Sequence, residues 1–139
     1  MNWLLDTCVI SEARKKIPSP RVLAWLGQQE ESAMFLSVVT IGELHKGAAR
    51  LEDPKRRRQL LDWIHRELAA RFHRRILPFD EVVAARWGDL MAAAEASGRP
   101  LPTLDSLIAA TALAHRLTIV TRNLADLGRT GAEIFNPWD

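Results

Sequence analysis

Apolar positions change period several times along the chain, and each change marks an element. Trp3-Leu4-Leu5 is a short apolar run halted by Asp6, the pattern of a buried strand. Val9 to Lys15 reads as a short helix. Ser19-Pro20 opens another, with serine placed to cap it and proline at its first position; Val22, Leu23, Trp25 and Leu26 then form one apolar stripe. Phe35-Leu36 predicts a second strand. From Ser37 onward, Val38, Ile41, Leu44, Ala48 and Leu51 recur at helical spacing. Asp53-Pro54 starts a further helix whose apolar side is Leu60, Leu61, Ile64 and Leu68. Arg75 to Phe79 predicts a third strand. Asp80 caps a helix that runs through Ala96 and stops at Gly98-Arg99-Pro100. Leu104 to His115 is apolar or small nearly all round, so this helix is expected to be buried on most sides. Thr118 to Thr121 is a β-branched strand, and Ala132 to Phe135 predicts a last, edge strand.

Strands that alternate with helices imply a parallel sheet covered on both faces. The expected fold is α/β, a three-layer α/β/α sandwich around a short, mostly parallel sheet. The 139 residues suit a single domain, and no repeat, low-complexity segment or Gly/Ser linker divides them. Hydrophobic residues are 47% and charged residues 26%, which excludes a disordered chain. Cys8 is the only cysteine, so there is no disulfide framework, and a reducing compartment fits. No apolar run approaches the ~20 residues of a membrane span. The first residues lack the basic region of a signal peptide, so the cytoplasm is the expected location.

The net charge is only +2, but basic residues concentrate at Lys55-Arg56-Arg57-Arg58 and from Arg71 to Arg75. Cations near a helix start oppose the helix dipole. The two runs are read either as solvated helix faces or as a surface for a polyanionic partner.

The acids carry more information. Asp6 directly follows the first strand, and open α/β sheets bind ligands beyond the carboxyl ends of their strands. Glu43 lies within the helix that opens near Ser37, flanked by Ile41 and Leu44. Asp105 sits in the first turn of the most apolar helix, on a face of small residues with Ala109 and Ala112, where an unpaired carboxylate is costly. Asp126 lies past the end of the fourth strand, with Asn123 before it as an uncharged oxygen donor or a turn residue.

Taken singly, each is explained as a cap, a solvent-edge residue or a turn. Jointly they point elsewhere. If the first and fourth strands are neighbours, Asp6 and the stretch from Thr121 to Asp126 share one rim, at which Glu43 and Asp105 can point. Gathered carboxylates repel one another and take up protons unless a divalent cation sits among them. An all-oxygen donor set favours Mg2+, with Mn2+ as a substitute. Zinc is not expected, because His45, His65, His73 and His115 show no ligand spacing. Such a pocket suits phosphodiester hydrolysis by an activated water. Thr7 and Thr121 are candidates for orienting that water or a phosphate oxygen, and arginines around the rim would hold the backbone.

The same residues resemble a known family. Leu4-Leu5-Asp6-Thr7-Cys8-Val9-Ile10-Ser11-Glu12 resembles the opening of PIN-domain ribonucleases, and Thr40-Ile41-Gly42-Glu43-Leu44-His45-Lys46-Gly47 their second block. Leu104 to Ala112 resembles the third block, Thr121 to Leu127 the fourth, and Phe135-Asn136-Pro137-Trp138 a common ending. The similarity spans nearly the whole chain and is greatest to the VapC/FitB type of toxin–antitoxin nuclease.

This resemblance implies a Mg2+- or Mn2+-dependent endoribonuclease that cuts RNA. It also implies a homodimer and a cognate antitoxin that blocks the active site, with operator DNA bound only through the antitoxin and no membrane partner. Carried over by motif, Asp6, Glu43 and Asp105 are the metal-binding acids, and Asp126 or Asn123 completes the set. Cys8 stands where many members have asparagine, a change not expected to remove metal binding. The basic runs would then belong to a helical arm that meets RNA or antitoxin.

Two rival classes share parts of this pattern. One is a PIN-like binding module with an inert site. The other is a phosphoryl-transfer α/β domain, either a receiver or a haloacid-dehalogenase-like phosphatase. The phosphatase pattern wants an aspartate where Cys8 stands, and the receiver wants a lysine near Arg122-Asn123.

Overall fold

The computed structural model describes residues 1–139. Five strands, β1 (Trp3–Leu5), β2 (Met34–Ser37), β3 (Ile76–Leu77), β4 (Thr118–Val120) and β5 (Ile134–Phe135), form one sheet in the order β3-β2-β1-β4-β5. All four pairings are parallel, so every strand delivers its carboxyl end to the same edge. Chain order reverses at β1, with β2 and β3 on one side and β4 and β5 on the other. At such a switch point the outgoing connections part to opposite faces and open a crevice beyond the strand ends.

Helices α1 (Thr7–Ala13), α2 (Pro20–Gln28), α3 (Val38–Ala49), α4 (Pro54–Asp62), α5 (Ala69–Arg71), α6 (Glu81–Ala96), α7 (Thr103–His115) and α8 (Leu124–Leu127) cover the sheet. Alternation along the strands sorts side chains between two cores. Leu5, Met34, Leu36 and Val120 pack with Val9, Ile10, Val22, Leu44, Ile64 and Leu68 on one face. Leu4 and Ile119 pack with Ile108, Ala109, Ala112 and Leu127 on the other. A period of two in each strand thus puts consecutive residues into different layers, which is the three-layer α/β sandwich expected. No helix is long and apolar enough to cross a membrane.

The capping residues behave as their positions imply. Ser19, Ser37, Asp53 and Asp80 accept hydrogen bonds from the first-turn amides of Val22, Val39, Lys55 and Val83. Three local readings are corrected. First, α1 begins at Thr7 rather than Val9 and ends at Ala13 rather than Lys15, because Asp6 itself caps the helix, accepting from the Thr7 amide at 2.9 Å. Second, β3 and β5 are only two residues long. Third, the helix after Asp53 passes through a π-helical stretch, Trp63–Leu68, before α5. Apolar spacing at Ile64 and Leu68 fits both periods and gave no sign of it.

Two arginines of the second basic run are held by the fold. Arg71 pairs with Glu31 at 2.7 Å. Arg75, its side chain only 17% exposed, donates to the carbonyls of Met34, Glu31 and Arg71. Arg57 in the first run donates to the Leu51 carbonyl at 3.0 Å. These arginines fasten the end of the π-helical segment to the lead-in of β2 and tie α4 to the end of α3. Lys55, Arg56 and Arg58 remain exposed. Arg75→Met should therefore lower stability by about 1–3 kcal/mol, since it strands several carbonyls at once. A shift in the urea midpoint at constant m-value checks this.

Candidate active site

The switch point places Asp6. Strand β1 carries it past Leu5, and its amide still donates to the Val120 carbonyl at 3.0 Å, so the ladder to β4 continues one residue beyond the strand. The register that pairs Leu5 with Val120 brings the next residues, Asp6 and Thr121, together. Thr121 is fully buried. Its hydroxyl donates to Asp6 Oδ2 at 2.8 Å and accepts from the Asn123 amide at 3.0 Å. Asp6 thus caps α1 with Oδ1 and meets Thr121 with Oδ2, so capping leaves one of its oxygens directed at the crevice.

Glu43 reaches the same crevice from α3. It accepts from the Thr7 hydroxyl at 2.7 Å, and Thr40, one turn earlier on α3, lies 3.4 Å from that hydroxyl. Asp105 enters from the first turn of α7 and accepts from Asn123 Nδ2 at 3.3 Å. Asp126, in α8, takes Arg129 at 3.4 Å.

The electrostatics show that these acids share one field. Burial pushes the Glu43 carboxyl above its ordinary range. The Thr7 hydrogen bond opposes that shift, the charges of Asp6 and Asp105 add to it, and Lys46 opposes it. Asp105 is raised by burial against the Asn123 hydrogen bond, with Asp6 and Asp126 adding to the rise. Asp6, Glu43 and Asp105 thus repel one another, which a divalent cation would relieve, while Asp126 acts on Asp105 alone and is itself paired with Arg129. As placed, no three His, Cys, Asp or Glu side chains lie close enough together to hold a metal ion. An open, all-oxygen arrangement fits Mg2+ nonetheless, because that ion keeps several waters and takes one or two carboxylates rather than a full protein shell.

Three further candidates contact these acids directly. The Thr7 hydroxyl donates to Glu43 and the Thr121 hydroxyl to Asp6, so in the structure both position acids. Asn123 presents its amide N–H to Asp105 and is a positioning group for that carboxylate. Cys8, read from the sequence only as a replacement for asparagine, also contacts this group. The Cys8 thiol lies 3.7 Å from Asp6 Oδ2 and 3.5 Å from the Thr121 hydroxyl, and burial pushes its pKa up, keeping it a neutral thiol. Its place two residues after a strand-end acid was the available signal.

An all-parallel sheet whose switch point gathers carboxylates from four separate segments is the architecture of a PIN domain, and the model of that family matches residues 3–131. Toxin FitB of Neisseria gonorrhoeae is 38% identical over 135 residues, covering 97% of each chain. VapC ribonuclease Y4jK of Sinorhizobium fredii is 38% identical over 136 residues, 98% of this chain and 97% of that one. A chain in the structure of FitAB bound to an IR36 DNA fragment superposes with a TM-score of 0.91 at 36% identity, over 99% of this chain and 96% of that one. The protein belongs to the VapC/FitB family of toxin–antitoxin ribonucleases.

Proposed function

We propose that this chain is a Mg2+-dependent endoribonuclease, with Mn2+ as a substitute, acting in the cytoplasm as the toxin of a toxin–antitoxin pair. The observation that carries this reading is the convergence of Asp6, Glu43 and Asp105 on the sheet's switch point, each held there by a hydrogen bond from Thr121, Thr7 or Asn123. Asp6, Glu43 and Asp105 would hold the ion, with Asp126 at the outer edge. When bound, the ion supplies an activated water at neutral pH and offsets charge on the leaving oxygen of an RNA phosphodiester. The chain's own residues prepare the site: Thr121 and the α1 amide aim Asp6, Thr7 aims Glu43, and Asn123 aims Asp105.

The partners proposed are RNA as substrate, a cognate antitoxin that covers the acids, and a second copy of the chain as a homodimer. Operator DNA would be reached only through the antitoxin. The similarity to a FitAB complex carrying DNA supports the antitoxin and DNA partners. The PIN architecture leaves no place for the receiver or phosphatase readings.

The experiment is RNA cleavage with Mg2+, with and without EDTA, alongside thermal melts with Mn2+. Cleavage should require the metal. At a Mn2+ concentration about 100 times its Kd, the protein should gain about 2.7 kcal/mol of stability by mass action. Cleavage that survives EDTA would sink the metal reading. Absence of both cleavage and a Mn2+ shift would return the chain to the inert binding module.

A further inference from the structure

Acids that gather a cation also repel the phosphates of a substrate, so a nuclease needs cations placed beside them. Within the basic runs conspicuous in the sequence, Arg57, Arg71 and Arg75 are already engaged by carbonyls and Glu31. Resting on the nuclease reading, we propose that Arg14 and Arg122 form a clamp for the phosphodiester backbone of single-stranded RNA on the two flanks of the acid group.

Arg14, just past the end of α1, lines a surface depression with Thr7, Ser11, Lys15 and Glu43, so it opens onto the Glu43 side of the site. Lys15 in that depression is paired with Glu12 at 2.9 Å. Arg122 directly follows Thr121, whose hydroxyl donates to Asp6 Oδ2 at 2.8 Å. It therefore stands on the Asp6 side.

The two arginines share a feature with no other arginine of the chain. Each guanidinium lies over a tryptophan, Arg14 at 4.4 Å from the Trp63 ring centre and Arg122 at 4.8 Å from Trp138. Neither makes an ion pair or a side-chain hydrogen bond, although Arg57, Arg66, Arg71, Arg75 and Arg129 all do. Both are exposed. A stacked guanidinium keeps its in-plane N–H donors free and its plane fixed, the arrangement that meets two phosphate oxygens at once. Fixing the side chain before the ligand arrives also lowers the entropy lost on binding. Contacts of this kind grip the backbone and carry no base information.

The test uses the full chain with Asp105→Asn as a non-cleaving parent and a fluorescein-labelled single-stranded oligoribonucleotide. Binding is read by anisotropy between about 50 and 200 mM salt. Arg14→Gln and Arg122→Gln should each weaken binding about tenfold and reduce the slope of log K against log salt by about 0.7, the value for one phosphate contact on a single strand. Arg14→Lys keeps the charge without the stacked fork, so it should keep the slope and lose only part of the affinity. Melting temperatures matching the parent's place the loss at the surface rather than in folding. If the wild type cuts RNA while both glutamine variants keep the parent's affinity and slope, the clamp is overturned and the nuclease stands; arginines reserved for a protein partner would give that result. If the wild type neither binds nor cuts RNA, the nuclease reading fails and the clamp with it.

Discussion

Asp105→Asn should reduce RNA cleavage by about a thousandfold or more, the loss of several kcal/mol of metal-based stabilisation, and yet make the metal-free protein more stable. The second half follows from the sign of the pKa shift. Burial, with the charges of Asp6 and Asp126, raises the Asp105 pKa in the fold. A carboxyl with a raised pKa binds more protons folded than unfolded, so stability falls as pH rises from the ordinary carboxylate range through the raised value. Asparagine keeps the shape and removes the charge. The variant should melt higher than wild type near neutral pH in EDTA. Its stability should also depend less on pH over that window. Glu43→Gln should act in the same direction, since burial and the charges of Asp6 and Asp105 raise that group as well.

Glu12 gives the opposite sign within the same molecule. Lys15 and the Ser19 amide hold its carboxyl below the usual range. Its contribution is present above the unfolded carboxylate pKa and is lost as pH falls through the folded value. Calorimetry of wild type and Asp105→Asn at matched pH separates the two groups. An Asp105→Asn variant that melts lower than wild type in EDTA would mean that the acids are not in repulsion.

Thr121→Val should be the most damaging substitution that leaves every acid in place. Valine matches threonine in shape, so the core around it need not move. The lost hydroxyl leaves Asp6 Oδ2 with only the Cys8 thiol at 3.7 Å and the Asn123 amide without its acceptor. Each stranded group costs about 1–3 kcal/mol when buried, so a loss of about 2–3 kcal/mol is expected in urea unfolding. Cleavage should drop about a hundredfold, because a catalytic group displaced by an ångström loses that much. Thr121→Ser keeps the hydroxyl and should restore most of both. Full activity in the valine variant would show that the Thr7 amide alone is enough to aim Asp6.

These two substitutions mark the limits of what could be read without coordinates. Asp105 was legible because a carboxylate among Ala109, Ala112 and Ile108 violates the pattern around it. Thr121 was legible as a residue near the site, yet its task was not, because a β-branched residue at a strand end needs no further explanation. The contact of Cys8 with this group was hidden for a similar reason. A small side chain after Asp6 fits many environments, and only its 3.7 Å approach to Asp6 Oδ2 ties it to the acid. The basic runs misled in the opposite direction. Clustered arginines read as a surface for a polyanion, whereas Arg71 and Arg75 answer to Glu31 and to carbonyls that no local pattern reveals.

Periodicity by itself determined the alternation of strands and helices, the two faces of the sheet and the helix starts at Ser19, Ser37, Asp53 and Asp80. These depend on interactions within a few residues, where side-chain direction follows directly from backbone period. The order of chemical blocks likewise determined the family. Tertiary structure alone decided which residues share a field. The Thr121–Asp6 hydrogen bond joins positions 115 apart, and it exists because β1 and β4 pair in parallel with Leu5 opposite Val120. Tertiary structure also decided which arginines are free, since a guanidinium reaches whichever carbonyl or ring the packing of distant segments brings to it. Charge acts through space, and the chain's local pattern contains no record of distance between segments that meet only after folding.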